Sequence, residues 1–387
     1  MQELLLDPSA KSFPPTSWGM TQQEFLGTAP RLSSFATPLL TLDRAAMAHN
    51  VALMSAWASE RGLELAPHGK TTMAPQLWQQ VLDAGAWGIT LATGWQVQLA
   101  RSFGVRRIIL ANELVDPVVL AWLGSELIDP EFEFVCWVDS VAGVEAMDAG
   151  LANTARPVDV VLEVGRAGGR AGARGTDDAL AVVRAVEASR HLRLAGVGGY
   201  EGSYATTRSG EGVAAVARYL DSIVELHARI DWSERPIVTA GGSSWFDLVA
   251  EKLGPLRTAA TVILRSGAYQ VHDDGIYSRI TPLPGLRPAM HGWARVVSAP
   301  EPGFALLDGG KRDFPYDEGL PVTPLGTVEK LNDQHAYLRS DRLEVGQVVR
   351  LGLSHPCTAF DKWRLIPVVD DADTDDPLVV DLVKTFF

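Results

Sequence analysis

A (β/α)8 barrel followed by a smaller, mostly β domain is the fold that this 387-residue sequence predicts. Three observations predict it. Strand and helix signals alternate about eight times over a little more than two hundred residues. Polar, glycine-rich motifs follow several of the strands instead of clustering at one crevice, which disfavours the alternative of a doubly wound open sheet. After about Pro282 helical periodicity nearly disappears, and Pro282, Pro284, Pro288, Pro300 and Pro302 punctuate short β-like stretches.

The elements follow in order. Residues 1–36 are polar, proline-bearing and irregular. Residues 37–43 read as a strand and 44–61 as an amphipathic helix. Strand-like runs then fall at 63–67, 87–92, 107–111, 132–138, 158–164, 192–197, 236–239 and 261–264, with helical segments such as 177–189 and 212–229 between them. In the last part, 292–297, 305–307, 336–338 and 347–351 read as strands. The acidic tail 370–377 reads as a loop before a final apolar stretch, 378–387. Three regions result: an N-terminal segment (1–43) whose strand joins the β domain, a barrel (44–284), and a β domain (285–387).

Composition narrows the function. Hydrophobic residues make up 47% and charged residues 21%, a soluble globular profile. A net charge of −13 argues against nucleic acid or an anionic membrane as main partners. Cys136 and Cys357 are too few for a disulfide framework, which suits a reducing, cytoplasmic compartment. Met1–Asp7 lacks the basic start and long apolar run of a leader, and no apolar run reaches membrane-spanning length.

The chemistry is carried by short motifs at strand ends. Pro67-His68-Gly69-Lys70-Thr71-Thr72 follows an early strand. A lysine there, desolvated beside a histidine, suits Schiff-base chemistry with a carbonyl, whereas a lone lysine is ordinarily a surface group. Gly241-Gly242-Ser243-Ser244 and Gly267-Ala268-Tyr269 follow the last two barrel strands. Each alone reads as a turn. Together, opposite the lysine, they fit the phosphate of pyridoxal 5'-phosphate. Arg170, in the glycine-rich run Gly165–Gly172, either faces the pyridine nitrogen or belongs to a flexible basic loop. Tyr200, between Gly199 and Gly202, either packs beside the cofactor or is an ordinary buried tyrosine. Extended His355-Pro356-Cys357 would place imidazole and thiol on one side of a strand, as zinc ligands or as a structural histidine and buried cysteine. His291 is a further candidate to face that site, while Asp361 and Lys362 receive no role.

In their order, Pro67–Thr71, Gly169–Gly172, Gly199–Gly202, Gly241–Ser244, Gly267–Tyr269 and His355–Cys357 resemble the D-threonine aldolase/D-serine dehydratase family, fold-type III enzymes similar to alanine racemase. The resemblance runs from about residue 37 to the end. It implies that Lys70 is the Schiff-base lysine and Arg170 the ring-nitrogen arginine. It implies that Tyr200 neighbours the ring, and that Gly241, Gly242, Ser243, Ser244, Gly267, Ala268 and Tyr269 form the phosphate cup. His355 and Cys357 would be the pair for Zn2+ or another divalent metal. It further implies a homodimer and a small D-amino acid substrate. Aldolases of the family typically carry His-x-Asp and dehydratases His-x-Cys, so Cys357 points to dehydration of a D-serine-like substrate to a 2-oxo acid and ammonia. Thr72 departs from the family's second histidine, and the arginine loop is longer than in the aldolases, as in the branch labelled amino-acid deaminases. Retro-aldol cleavage, racemisation and a non-catalytic cofactor carrier are the rival readings.

Overall fold

The computed structural model describes residues 5–387, so Met1–Leu4, part of the stretch read against a leader, lie outside the described residues. Two compact units divide the chain. One comprises the described residues up to Met54, Thr71–Gln79 and Ala268–Phe387; the other comprises Ser55–Lys70 and Gln80–Gly267. Strand β1 (Leu39–Asp43) precedes β2 (Glu64–Leu65), β3 (Ile89–Leu91), β4 (Arg107–Glu113), β5 (Glu133–Val138), β6 (Val158–Val164), β7 (Leu192–Gly199), β8 (Ile237–Ala240) and β9 (Thr261–Leu264). There follow β10 (Met290–Glu301), β11 (Phe304–Leu307), β12 (Thr327–Leu331), β13 (Ala336–Arg339), β14 (Val348–Gly352), β15 (Leu365–Val369) and β16 (Val379–Lys384).

The second unit is a parallel barrel with strand order β2-β9-β8-β7-β6-β5-β4-β3. The ring closes where His68 and Thr90 form a parallel bridge and the Thr90 N–H donates to the Pro67 carbonyl at 2.9 Å. β2 is shorter than its apolar run because Pro67 has no N–H and Gly69–Thr71 turns as a 3-10 helix. The helices Thr176–Ala188 and Gly210–His227 lie within two residues of their predicted bounds. Ala66, Ile109, Val135, Trp137, Val161 and Ile263 pack as the barrel's interior. Val135 and Trp137 alternate along β5, as a pleated sheet with one inward face requires, and Ala66 lies just past β2.

The other unit is built on a mostly antiparallel sheet. β1 pairs antiparallel with β10, Leu40 opposite Gly292, and parallel with β15, Leu42 opposite Val368. β10 is long enough to pair also with β11 and β14. Leu40, Leu42, Met290, Phe314, Leu351 and Ile366 belong to its core.

Two sequence readings need correction here. Residues 1–36 are not wholly irregular. Gln22–Gly27 is a helix closed by a Thr21/Glu24 capping box, and Phe13, Phe25 and Phe35 form an aromatic cluster with ring centroids 5.0–5.8 Å apart. Strands β12 and β15 had no expected counterpart. Thr327–Leu331 carries charged residues on its exposed face, and Leu365–Val369 holds Pro367, a residue that ordinarily argues against an interior strand.

Candidate active site

In the barrel unit the polar residues sit one step beyond the apolar interior, toward the strand carboxyl ends. Lys70 is exposed within the 3-10 turn after β2. His68, two residues earlier, has a buried Nδ1 with no protein partner. Burial first, and then the positive charges of Arg265, Lys70 and Arg170, hold its imidazole far below the usual histidine range, so it is neutral. Gly267 presses against the same segment. A Cβ there would stand 2.7 Å from the His68 nitrogen, so only glycine permits this approach.

Arg265 follows β9 and is 2% exposed. Its Nη1 donates to Thr239 Oγ1 and its Nη2 to the Gly199 carbonyl, each at 2.7 Å, while Nε has no partner. Its guanidinium lies 5.1 Å from the Trp137 ring centroid. On β6, the Glu163 side chain is 4% exposed. Burial, the Glu113 charge and a hydrogen bond with the Glu113 carboxyl raise Glu163 to about 8, against the pull of Arg170 and Arg265. Arg170 is more open, its side chain 61% exposed. It reaches within 3.8 Å of Glu163 Oε1, and its guanidinium lies 5.0 Å from the Tyr200 ring centroid. The ring of Tyr200 in turn abuts Gly242. The structure therefore brings Lys70, Arg170, Tyr200 and Gly242 into one neighbourhood of the barrel. It adds Glu113 and Glu163, to which sequence reasoning gave no role, and gives His68 and Arg265, read only as a neighbour of the lysine and as the start of a phosphate-cup motif, defined places in the site. A count by twos along the strands could have found three of them: Ile109 to Glu113, Val161 to Glu163, and Ile263 to Arg265.

In the β-domain unit, His355 and Cys357 are also brought together, but not in an extended strand. His355 adopts φ 61°, and Cys357 begins the short helix Cys357–Phe360. The turn forms because Asp273 accepts the His355 N–H at 2.9 Å and Pro356 presets the first helical residue. His355 Nδ1 lies 2.5 Å from Asp317 Oδ2, and Asp317 Oδ1 accepts from Thr358 Oγ1 at 2.7 Å. Hydrogen bonding with Cys357 is the main cause that raises His355 to about 9; burial opposes it and Asp317 reinforces it. The Thr71 hydroxyl lies 3.3 Å from Cys357 Sγ. Among the described residues no third His, Cys, Asp or Glu joins a metal-holding cluster. His291 is buried in β10, and Arg350 and Asp373 are its charged neighbours. Tyr269 is buried, which pushes its hydroxyl upward. Asp361 and Lys362 pair with each other at 3.4 Å.

The sequence pattern of the alanine racemase N-terminal domain matches residues 42–248, more than half of the chain, and that of the serine dehydratase domain matches 289–369. The chain belongs to the alanine racemase-like family that holds the D-threonine aldolases and serine dehydratases. It is 29% identical to the D-threonine aldolase of Arthrobacter sp. over 361 residues, covering 89% of this chain and 92% of the relative. It is 25% identical to the D-threo-3-hydroxyaspartate dehydratase of Delftia sp. strain HT23, covering 84% of this chain and 92% of the relative. The crystal structure of the D-threonine aldolase from Filomicrobium marinum superposes with a TM-score of 0.81 at 23% identity, over 92% of this chain and 96% of that one, and shows the same fold. Membership makes the chain an enzyme of the lyase type, with pyridoxal phosphate as the family's cofactor. No helix among the described residues is long and apolar enough to cross a membrane.

The barrel residues fit that cofactor. Nδ1 of His68, within reach of the charge of Lys70, and Nε of Arg265 are buried polar atoms without protein partners, and with the cationic Arg265 and Arg170 they suit a polar, anionic heterocycle. The imidazole and thiol of His355 and Cys357 are a soft donor set that fits zinc, provided that further ligands come from outside the pair.

Proposed function

We propose that this chain is a metal-assisted dehydratase of a small D-β-hydroxy amino acid, D-serine or a relative, releasing a 2-oxo acid and ammonia. The observation that carries the reading is the His355–Cys357 pair, with Asp317 on the imidazole. With Nδ1 engaged by Asp317, Nε2 is the nitrogen left for a metal, the carboxylate–histidine arrangement found at many zinc sites. A divalent metal held by His355 and Cys357 would supply Lewis acidity to the departing hydroxyl.

Pyridoxal phosphate, when bound, supplies an electron-withdrawing ring that acidifies the α-proton of an attached amino acid. Lys70 would hold the cofactor aldehyde, and its Nζ is the group that would accept the substrate's α-proton. Arg170, a permanent cation 3.8 Å from Glu163, would keep the ring nitrogen unprotonated. Tyr200 would border the ring, and Ser243, Ser244, Gly267, Ala268 and Tyr269 are the candidate phosphate partners, Ser243 and Ser244 carried by the Gly241–Gly242 turn.

Incubation of zinc- and cofactor-loaded protein with D-serine should yield pyruvate and ammonia, and D-threonine should yield 2-oxobutanoate. Glycine with acetaldehyde from D-threonine would replace this reading with the aldolase one, which the 29% identity to a D-threonine aldolase favours. Cys357→Asp should shift product toward retro-aldol cleavage, since a harder ligand changes the Lewis acidity of the metal; an unchanged product ratio counts against a metal at this pair. The pure-carrier reading has no support from lyase relatives. A homodimer is part of the same proposal, and light scattering checks it.

A further inference from the structure

The Gly241–Gly242 turn is held on every polar side by protein. Glu201 is fully buried, and its two carboxylate oxygens accept the N–H groups of Gly241 at 2.9 Å and Gly242 at 2.6 Å. The carbonyls of the same two glycines both accept from Ser266 Oγ at 3.0 Å. Gly241 has φ +99°, a conformation that favours glycine and aims adjacent N–H groups to one side. Beneath the turn, buried Arg265 offsets the charge of Glu201. The next residues are pinned as well: Arg208 donates to the Ser244 carbonyl at 2.6 Å and Trp245 Nε1 to the Ala205 carbonyl at 3.3 Å.

We propose that Glu201 is a positioning residue for the anionic end of the cofactor: it grips the Gly241–Gly242 turn from inside the barrel, so that phosphate is received by the groups this turn presents, those of Ser243 and Ser244 first. The inference rests on the assignment of pyridoxal phosphate to this barrel. The two glycine N–H groups are committed to the carboxylate and are not phosphate donors themselves. A carboxylate is suited to the task because it accepts two parallel N–H bonds at once and strengthens both with its charge. Glutamine turns a donor toward one of those N–H groups. Aspartate is one methylene too short to keep both.

The test compares equilibrium binding of pyridoxal phosphate and of pyridoxal, which lacks the phosphate, to apoprotein of the wild type, Glu201→Gln and Ser266→Ala. Lost charge-assisted hydrogen bonds of this kind predict about a tenfold weaker affinity of Glu201→Gln for pyridoxal phosphate. Pyridoxal affinity should change less than about twofold, because its aldehyde and ring do not depend on the turn. Ser266→Ala should lose phosphate preference in the same direction but by less, and it decides the matter if Glu201→Gln does not fold. Equal weakening toward both compounds would reduce Glu201 to a structural group and overturn the proposal. Unchanged binding would also overturn it, and so would tighter binding, which would mean that the carboxylate competes with phosphate. Borohydride trapping of wild-type protein separates the underlying assignment: absence of label on Lys70 removes that assignment and this inference with it.

Discussion

Two successive layers of the barrel interior differ in almost everything except their strands. The lower layer, with Ile109, Val161 and Ile263, is apolar and buried. Two residues further along their strands, about 6–7 Å higher, stand Glu163 and Arg265, and Glu113 lies four residues beyond Ile109, past a register irregularity in β4. The first layer stabilises the barrel by excluding water. The second holds charges in low-dielectric surroundings with some polar atoms unsatisfied, an arrangement that costs stability and is kept where chemistry needs it. The β-domain turn bearing His355 and Cys357 follows the second pattern, with a φ of 61° at His355, Asp273 fixing its backbone N–H and Asp317 its imidazole.

The sharpest way to break the comparison is to remove a group of the reactive set that carries no packing. Lys70→Ala should lower turnover by about a thousandfold or more, because both the anchoring amine and the proton acceptor go with it. Its unfolding midpoint without cofactor should match that of the wild type, since the side chain is exposed. Retained turnover would mean that another amine does the work. The opposite change is Ile263→Ala in the lower layer. Deleting a buried side chain there should cost about 2–4 kcal/mol in urea unfolding. Catalytic constants of the folded fraction should stay within about twofold. A large loss of turnover with little loss of stability would show that the two layers are not functionally distinct.

The contrast also explains what could be read from the chain. The barrel strands were legible because buried parallel strands are near-continuous apolar runs, and β9 falls at its predicted bounds. β15 was not, since Pro367 argues locally against a strand that pairing with β16 nevertheless sustains. Lys70, Arg170 and Tyr200 stood out because glycines flank them, and the structure places them in one unit. Glu201 and Asp317 did not. A carboxylate in a sequence carries no sign of its partner, and those partners lie 40 and 38 positions away, at Gly241 and His355. The His355-Pro356-Cys357 proximity was read for the wrong reason, as strand alternation, whereas a turn into a helix produces it.

Glu163 gives the smallest expected effect and the finest test of the contrast between layers. Burial and Glu113 raise its carboxyl from 4.5 to about 8 in the folded protein, with Arg170 and Arg265 opposing. The folded state therefore binds this proton more tightly than the unfolded chain does. Its contribution to stability is full below about pH 4.5, declines as pH rises, and is lost once pH passes about 8. Glutamine at this position mimics the protonated form at every pH. Glu163→Gln should thus gain on the wild type between pH 5 and pH 9 in cofactor-free urea unfolding, by on the order of a few kcal/mol at most. Parallel stability profiles would show that Glu163 is already ionised at pH 5 and paired to Arg170. In that event the upper layer would hold a settled ion pair, and the raised carboxyl would no longer distinguish it from an ordinary structural salt bridge.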